Sequence, residues 1–276
     1  MFKLINSEHQ KELLSISEDI NNSSISEIVE KIFNLIAKVR EDIPPKKKIS
    51  YGRYSIIKQM GLDFYELLTN KNIDVFEFAN KIYENEEHDQ FVRSLAVQLI
   101  SIYGLEKENL DKTLSVFEKA ATDNKWEARE CSAGFIRKLI KEHPAEMEAW
   151  YLHNVKSSNP LMRRFTCESI RPVADNKWFL KNPNFCFSVI ESLYQEKDIY
   201  PRSSAGNSLS DWARTDKERV YKIVEELVSS GNKNSYWIAY RACRNLVKKE
   251  PIRVMDLLKI DEYKYKKNIF YRNKND

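Results

Sequence analysis

The sequence predicts an all-α chain, an α-α superhelix of stacked helical hairpins, and three observations carry that expectation. Glycine and proline are scarce, six and eight in 276 residues, while Lys, Glu, Leu and Ile are plentiful; a turn-rich all-β architecture needs the opposite composition. Apolar residues recur at helical spacing from Ser24 to the end of the chain. A short segment also returns every 35–38 residues, which is the mark of repeated supersecondary units.

Taken in order, residues 1–22 carry one short amphipathic helix, Glu8–Ile20, and Asn21–Ser24 reads as loop and cap. A second helix runs from Ser24 to Arg40, with Ile25, Ile28, Ile32, Phe33, Leu35, Ile36 and Val39 at helical spacing. The break from Asp42 to Lys48 contains two prolines and three lysines and reads as an exposed basic loop. Such a charge run is ordinarily solvated surface, with a phosphate contact as the minority reading.

Beyond it five segments align without gaps: Phe91–Leu99, Lys125–Phe135, Leu161–Ile170, Tyr200–Ser208 and Trp237–Leu246. Their common position is Arg93, Arg129, Arg164, Arg202 and Tyr240, with spacings of 36, 35, 38 and 38, and a weaker sixth copy begins at Arg53. Three residues further on stand Ala96, Ser132, Cys167, Ala205 and Cys243. A small side chain at that point lets neighbouring helices approach closely. Between the copies lie Leu110–Ala121, Ala145–Val155, Phe185–Tyr194 and Glu218–Val228, each expected to be the first helix of a pair. The expected organisation is a single solenoid domain: capping helices over 1–50, hairpins over 51–260 and a basic tail over 261–276.

The repeat aligns faces across helices. Positions one, four, five and eight after the reference form a face beside the core, and reading it in order gives Glu130, then Glu168, then Ser203 and Asn207, then Arg241, Arg244 and Lys248. Two carboxylates therefore fall in adjacent repeats on one expected inner wall, followed by a basic stretch. The stretch Leu161–Pro172 is expected to be a helix stopped by Pro172, burying Thr166, Cys167 and Ile170 and turning Phe165, Glu168 and Ser169 a quarter-turn away. Trp126, Trp178, Trp212 and Trp237 stand near this column. Burial in a hairpin is the ordinary fate of a tryptophan. Trp126, one turn before Glu130, is the exception, because an aromatic face beside a carboxylate attracts a cation.

Net charge is only +4, but residues 151–276 hold 24 Lys and Arg against 15 Asp and Glu, a net of +9, leaving −5 for residues 1–150. That asymmetry points to a polyanionic partner for the C-terminal half. Cys131, Cys167, Cys186 and Cys243 are far apart, with no C-x-x-C and no matching histidine cluster, so they read as small buried hydrophobes rather than zinc ligands or a disulfide framework. His9, His88, His143 and His153 show no ligand spacing, and His143, before Pro144, reads as a cap or surface residue. There is no phosphate loop and no G-x-S-x-G. No apolar run is long enough to cross a bilayer and the N-terminus lacks signal-peptide order, so a cytosolic, membrane-free protein is expected. The tail, with Tyr263–Lys267 and Arg272–Lys274 basic and interleaved with tyrosine, reads as a disordered or edge segment with DNA contact as the alternative.

Four of these segments resemble the HEAT-repeat DNA alkylation repair glycosylases of the AlkC/AlkD type. Met162–Pro172 is similar to that family's arginine-pair, small, Glu, Arg-Pro segment, nearest to its AlkC branch. Tyr200–Asp211 is similar to its Arg-x-x-Ala-x-Asn-x-Leu-x-Asp segment, Trp237–Lys248 to its closing Trp…Arg-x-Leu-Val-Lys segment, and, over a shorter stretch, Lys125–Glu130 to its first active-site helix. The resemblance covers a little over half the chain and does not reach the region before residue 90. It implies a cofactor-free, monomeric, nucleoid-associated protein of bacterial type that hydrolyses the N-glycosidic bond of cationic alkylated bases, such as 3-methyladenine, in double-stranded DNA. On that reading Glu168 and Glu130 are catalytic, Trp126 and Trp178 touch the lesion or sugar, and Arg163, Arg171, Arg202, Asn207, Arg241, Arg244, Lys248 and Lys249 bind phosphates. A noncatalytic binder of damaged or branched DNA and a protein-binding solenoid are the alternatives.

Overall fold

The structure, a computed structural model, describes residues 3–85, 90–172 and 177–272; His88 and residues 273–276 of the basic tail lie outside the described residues. The chain divides into two compact units, residues 1–143 and 144–276.

The first unit contains α1 (Ser7–Asp19), α2 (Ile25–Asp42), α3 (Arg53–Asn70), α4 (Val75–Glu84), α5 (Gln90–Tyr103), α6 (Leu110–Ala121), α7 (Trp126–Phe135) and α8 (Leu139–Glu142). Ser24 starts α2 through a capping box: its hydroxyl accepts from the Glu27 N–H, and the Glu27 carboxylate accepts from the Ser24 N–H at 2.8 Å. The apolar stripe of α2 is then buried at Ile28, Ile32, Leu35, Ile36 and Val39. The basic loop is exposed from Pro44 to Lys48 and forms one 3-10 turn, Pro45–Lys47. Helices α3, α5 and α7, which carry the copies beginning at Arg53, Arg93 and Arg129, pack on one another in that order.

The second unit contains α9 (Pro144–Asn154), α10 (Pro160–Ser169), α11 (Lys177–Lys181), α12 (Pro183–Glu191), α13 (Ile199–Trp212), α14 (Lys217–Ser229), α15 (Lys233–Ala242) and α16 (Pro251–Leu258), then an antiparallel hairpin of β1 (Glu262–Tyr265) and β2 (Asn268–Tyr271). Proline opens α10, α12 and α16, where a missing N–H loses no helical bond. Helices α10, α13 and α15 carry the Arg164, Arg202 and Tyr240 copies and stack successively. The architecture is all-α helical repeat, as the periodicity predicts.

Packing explains the small column: Ala96, Ser132, Cys167, Ala205 and Cys243 are all fully buried. The face expected to be an inner wall is in large part a packing face. Ser94 and Gln98, one and five residues after Arg93, and Phe165 and Ser169 are buried, because within each unit one second helix lies against the next on this side. At Gly206 a Cβ would stand 2.8 Å from the Arg241 Cβ, so glycine is what allows α13 and α15 to approach. Two further expectations are corrected. His143 is the C-cap of α8, its N–H donating to the Leu139 carbonyl, but it does not face solvent: it is buried and its Nε2 lies 3.0 Å from the Gly104 carbonyl, so it ties two segments of the first unit together. The C-terminal tail forms a docked hairpin, since Tyr263 is fully buried and stacks on Tyr240 at 4.3 Å. Among the described residues no helix is long and apolar enough to cross a membrane.

Candidate nucleic-acid interface

The polar side chains of α10, α13 and α15 join into one connected network, and Glu168 is its origin. Asn159 caps α10, accepting from the Leu161 N–H at 2.9 Å, and the helix ends at Ser169 because Pro172 turns the chain away from helical geometry. Glu168 therefore sits in the last turn, where its side chain is only 6% exposed. A buried carboxylate has to be paired and hydrogen-bonded, and this one is saturated. Arg164 Nη1 donates to Oε1 at 3.2 Å, Ser204 Oγ donates to the same oxygen at 2.6 Å, and Arg171 Nη1 donates to Oε2 at 2.8 Å.

Arg171 carries the network from α10 to the far end of α13. Its Nε donates to Asp211 Oδ2 at 2.9 Å and its Nη2 reaches the same oxygen, so one guanidinium bridges two carboxylates. Burial opposes its charge most strongly, but Glu168 and Asp211 overcome that and hold its pKa above the ordinary arginine value. From Asp211 the chain of contacts passes to α15. Arg244 donates to Asn207 Oδ1 at 2.6 Å, to Ser210 Oγ at 3.0 Å and to Asp211 Oδ1 at 3.4 Å, while Arg241 Nε donates to Asn207 Oδ1 at 2.8 Å. Arg241 lies 5.3 Å from the centre of the Trp237 ring, and Arg202 lies 5.0 Å from it. Arg202 also donates to Asn234, and Arg164 lies over Tyr200 at 4.1 Å.

Arg164, Arg171 and Arg244 thus share two carboxylates, while Arg202 and Arg241 meet, among the described residues, only asparagine amides and the Trp237 ring, and the excess of cations is greatest on α15. Burial, and then the neighbouring Arg244 charge, pull the Arg241 pKa below the ordinary arginine value. A cation in that setting is stabilised by an incoming anion. Lys248 and Lys249 follow on the exposed turn after α15.

The structure brings Glu168, Arg171, Arg202, Asn207, Arg241 and Arg244 together. Arg163 does not join them. It forms a bidentate pair with Glu196 at 2.7 and 2.9 Å, reaches Asp198 at 2.7 Å and donates to the Ser157 and Ser158 carbonyls, so its donors tie two loops of the hairpin stack together. Trp178 packs edge-on against Phe179 and Phe185 at 5.5 and 5.6 Å. Trp212 is buried against Phe187. Trp126 and Glu130 belong to the first unit, one turn apart on α7, and Trp126 at the helix start is 58% exposed.

Asp211 and Ser204 are network members that lie off the aligned face, whereas Ser210, eight residues after Arg202, falls on it. Asp211 closes the same Arg-x-x-Ala-x-Asn-x-Leu-x-Asp segment as Arg202 and Asn207, which was the available signal. Among the described residues no cluster of His, Cys, Asp and Glu is arranged to hold a metal ion.

The fold has counterparts among known proteins. The chain is similar in fold to AlkD2 from Streptococcus mutans, at 21% identity and a TM-score of 0.57 over 76% of this chain and 97% of that one. A second structure, smu.31 from Streptococcus mutans UA159, matches at 22% identity and a TM-score of 0.55, again over 76% and 97%. The alkylpurine DNA glycosylase AlkC of Pseudomonas fluorescens, solved bound to DNA containing an abasic site analogue, matches at 18% identity and a TM-score of 0.55 over 92% of this chain and 67% of that one. No curated protein sequence matches the chain. A family model, however, matches residues 54–246, a span that runs from α3 to the end of the α15 segment and includes every member of the polar network. The chain belongs to the DNA alkylation repair enzyme family.

Proposed function

We propose that the protein is a DNA N-glycosylase, a monomer that hydrolyses the glycosidic bond of bases made cationic by alkylation, such as 3-methyladenine, in duplex DNA. The observation that carries this reading is the Glu168–Arg171–Asp211 bridge inside the matched family segment. It sets buried negative charge beside a surplus of guanidiniums, which suits a positively charged reacting centre held within a polyanion. The structural likeness to AlkC, an alkylpurine DNA glycosylase solved on DNA with an abasic site analogue, supports the same reaction class.

A cationic base is already a good leaving group. As the bond from C1′ to the base nitrogen breaks, its electron pair stays with the base and neutralises it, while C1′ becomes electron-deficient. Fixed negative charge near C1′ lowers that barrier, and a positioned water completes the step by attacking C1′. Both oxygens of Glu168 already accept hydrogen bonds, so its part is to supply charge and hold Arg164 and Arg171 in place. The family resemblance supplies Glu130 as the second carboxylate, whose part would be to take the water's proton and pass it to solvent. Trp126 and Trp178 offer aromatic surface to the lesion or sugar. Arg171, Arg202, Arg241, Arg244, Lys248 and Lys249 grip phosphates without reading sequence, with Asn207 orienting two of them.

The saturation of Glu168 equally favours a second reading, a noncatalytic binder of damaged or branched DNA. Release of methylated base from alkylated duplex under enzyme excess separates the two. Wild type should release base, and Glu130→Gln should slow release about 10²–10³-fold while binding persists. Binding without any release by wild type would exclude the glycosylase; absence of DNA binding would exclude both readings and leave a solenoid for protein partners.

A further inference from the structure

We propose that the C-terminal hairpin is a second DNA-contacting element whose tip, Lys266 and Lys267, grips backbone phosphates beside the Arg241–Arg244 end of the network. This rests on the DNA-binding reading above. A basic tail alone would say little, since runs of lysine are usually solvated. Docking, charge pairing and backbone conformation each say more.

Docking comes first. Tyr263 stacks on Tyr240 and donates to the Tyr240 carbonyl at 2.7 Å, while the Tyr240 hydroxyl accepts from the Lys264 N–H at 2.8 Å and donates to the Lys264 carbonyl at 3.0 Å. Tyr240 immediately precedes Arg241 on α15, and Tyr265 and Tyr263 are close enough to act electrostatically on Arg241. An isolated two-stranded hairpin is marginal in water, so this anchoring fixes the ribbon next to the most cation-rich part of the network.

Charge pairing separates structural cations from available ones. Lys264 pairs with Glu262 at 2.6 Å, and Arg272 pairs with Asp256 and Asp261. Among the described residues no carboxylate pairs with Lys266 or Lys267, and both are exposed at the turn. The ribbon neutralises the cations along its strands and leaves those at its tip.

Conformation supplies the third argument. Lys266 has φ 56°, in the left-handed region, and Lys267 does not; a two-residue hairpin turn with positive φ at its first position alone favours glycine there. Lys259, which ends α16, also has φ 56°, at a position that favours glycine. At Asn72, the remaining non-glycine residue with positive φ among those described, a suited residue type is used. Lysine is therefore present in the C-terminal segment against the local backbone preference, which a role for its charge explains.

The test uses Lys266→Gly/Lys267→Ser in the full chain. Glycine is the preferred first residue of this turn, so the fold should be kept or made more stable while two charges are lost. Duplex binding should weaken about tenfold at low salt, and the slope of log K against log salt should become shallower by about two, one per lost phosphate contact. Lys266→Glu/Lys267→Glu should weaken binding further. If wild type binds duplex with a steep salt slope and both variants match it, the hairpin proposal is wrong and the DNA reading stands. If wild type fails to bind duplex, both fall together.

Discussion

At the scale of single residues, Glu168 is a buried and Glu196 a half-buried carboxylate, both held by arginine, and their surroundings assign them different work. Glu168 is linked through Arg171 to a second carboxylate and then to α15, whereas Glu196 ends in the Arg163 pair. Ser204→Ala should remove the 2.6 Å hydrogen bond to Glu168 and lower unfolding free energy by about 1.5–3 kcal/mol, read from urea titration, because a buried carboxylate loses a donor. Burial is the strongest influence on Glu196 and opposes its ionisation, but the Arg163 pair and the Asp198 N–H outweigh it and hold its pKa below the usual carboxylate value. A folded pKa below the unfolded one stabilises the fold above the unfolded value and ceases to do so as pH falls through the folded value. Glu196→Gln should therefore be less stable than wild type at pH 7, with the gap in unfolding free energy closing as pH is lowered below about 4. A gap that stayed constant with pH would exclude this ionic contribution. Sequence spacing led to Glu168, because a carboxylate at a repeated face position can be aligned across helices. It could not tell Arg163 from Arg164, adjacent residues about 100° apart on one helix, of which one enters the network and the other clamps a loop.

At the scale of elements, the helices were largely legible and the use of their faces less so. The expected Leu110–Ala121 coincides with α6, and the first helices expected at Ala145, Phe185 and Glu218 begin within two residues of α9, α12 and α14. Apolar periodicity sets those bounds because each helix buries one stripe. Which polar positions pack against the next helix depends on interaxial distance, which period alone does not contain. Gly206 shows the consequence. In an isolated helix Gly→Ala would stabilise by about 1 kcal/mol, but here the new methyl would meet the Arg241 Cβ, Cγ and Cδ at 2.8–3.1 Å. Overpacking of that kind costs about 1–3 kcal/mol, so Gly206→Ala should lower thermal stability. It should also weaken duplex binding, since α15 cannot shift without moving Arg241 and Arg244 from Asn207. A variant with raised stability and unchanged binding would show that the approach of α13 and α15 is looser than this. The terminal hairpin was missed for a different reason: its strands have four residues each and its turn carries lysine where glycine is usual, so both local strand signals are weak.

At the scale of the whole molecule, the two compact units meet in sequence at residues 143 and 144, close to where net charge changes sign along the chain. Each unit buries thiols that report on its own opening. Cys131 lies in the first unit, and Cys167, Cys186 and Cys243 lie in the second; all four are free and buried. Burial raises every one of their pKa values, to about 12 for Cys186 and about 12 for Cys243. Because the thiolate is the reactive species, none should react with a thiol reagent at pH 8 until its unit opens. Labelling followed by peptide mass analysis should then show Cys167, Cys186 and Cys243 gaining label together, since they belong to one packed stack, while Cys131 follows the opening of the first unit. If the units unfold as one cooperative body, all four rates coincide; if they unfold separately, Cys131 departs from the other three. Duplex DNA distinguishes the units further. A ligand held by the α10, α13 and α15 network stabilises only states in which that network is folded, so saturating duplex should slow labelling of the three second-unit cysteines. Should duplex bind yet leave those three rates unchanged, its binding surface would have to lie elsewhere than on the network around Glu168 and Arg244.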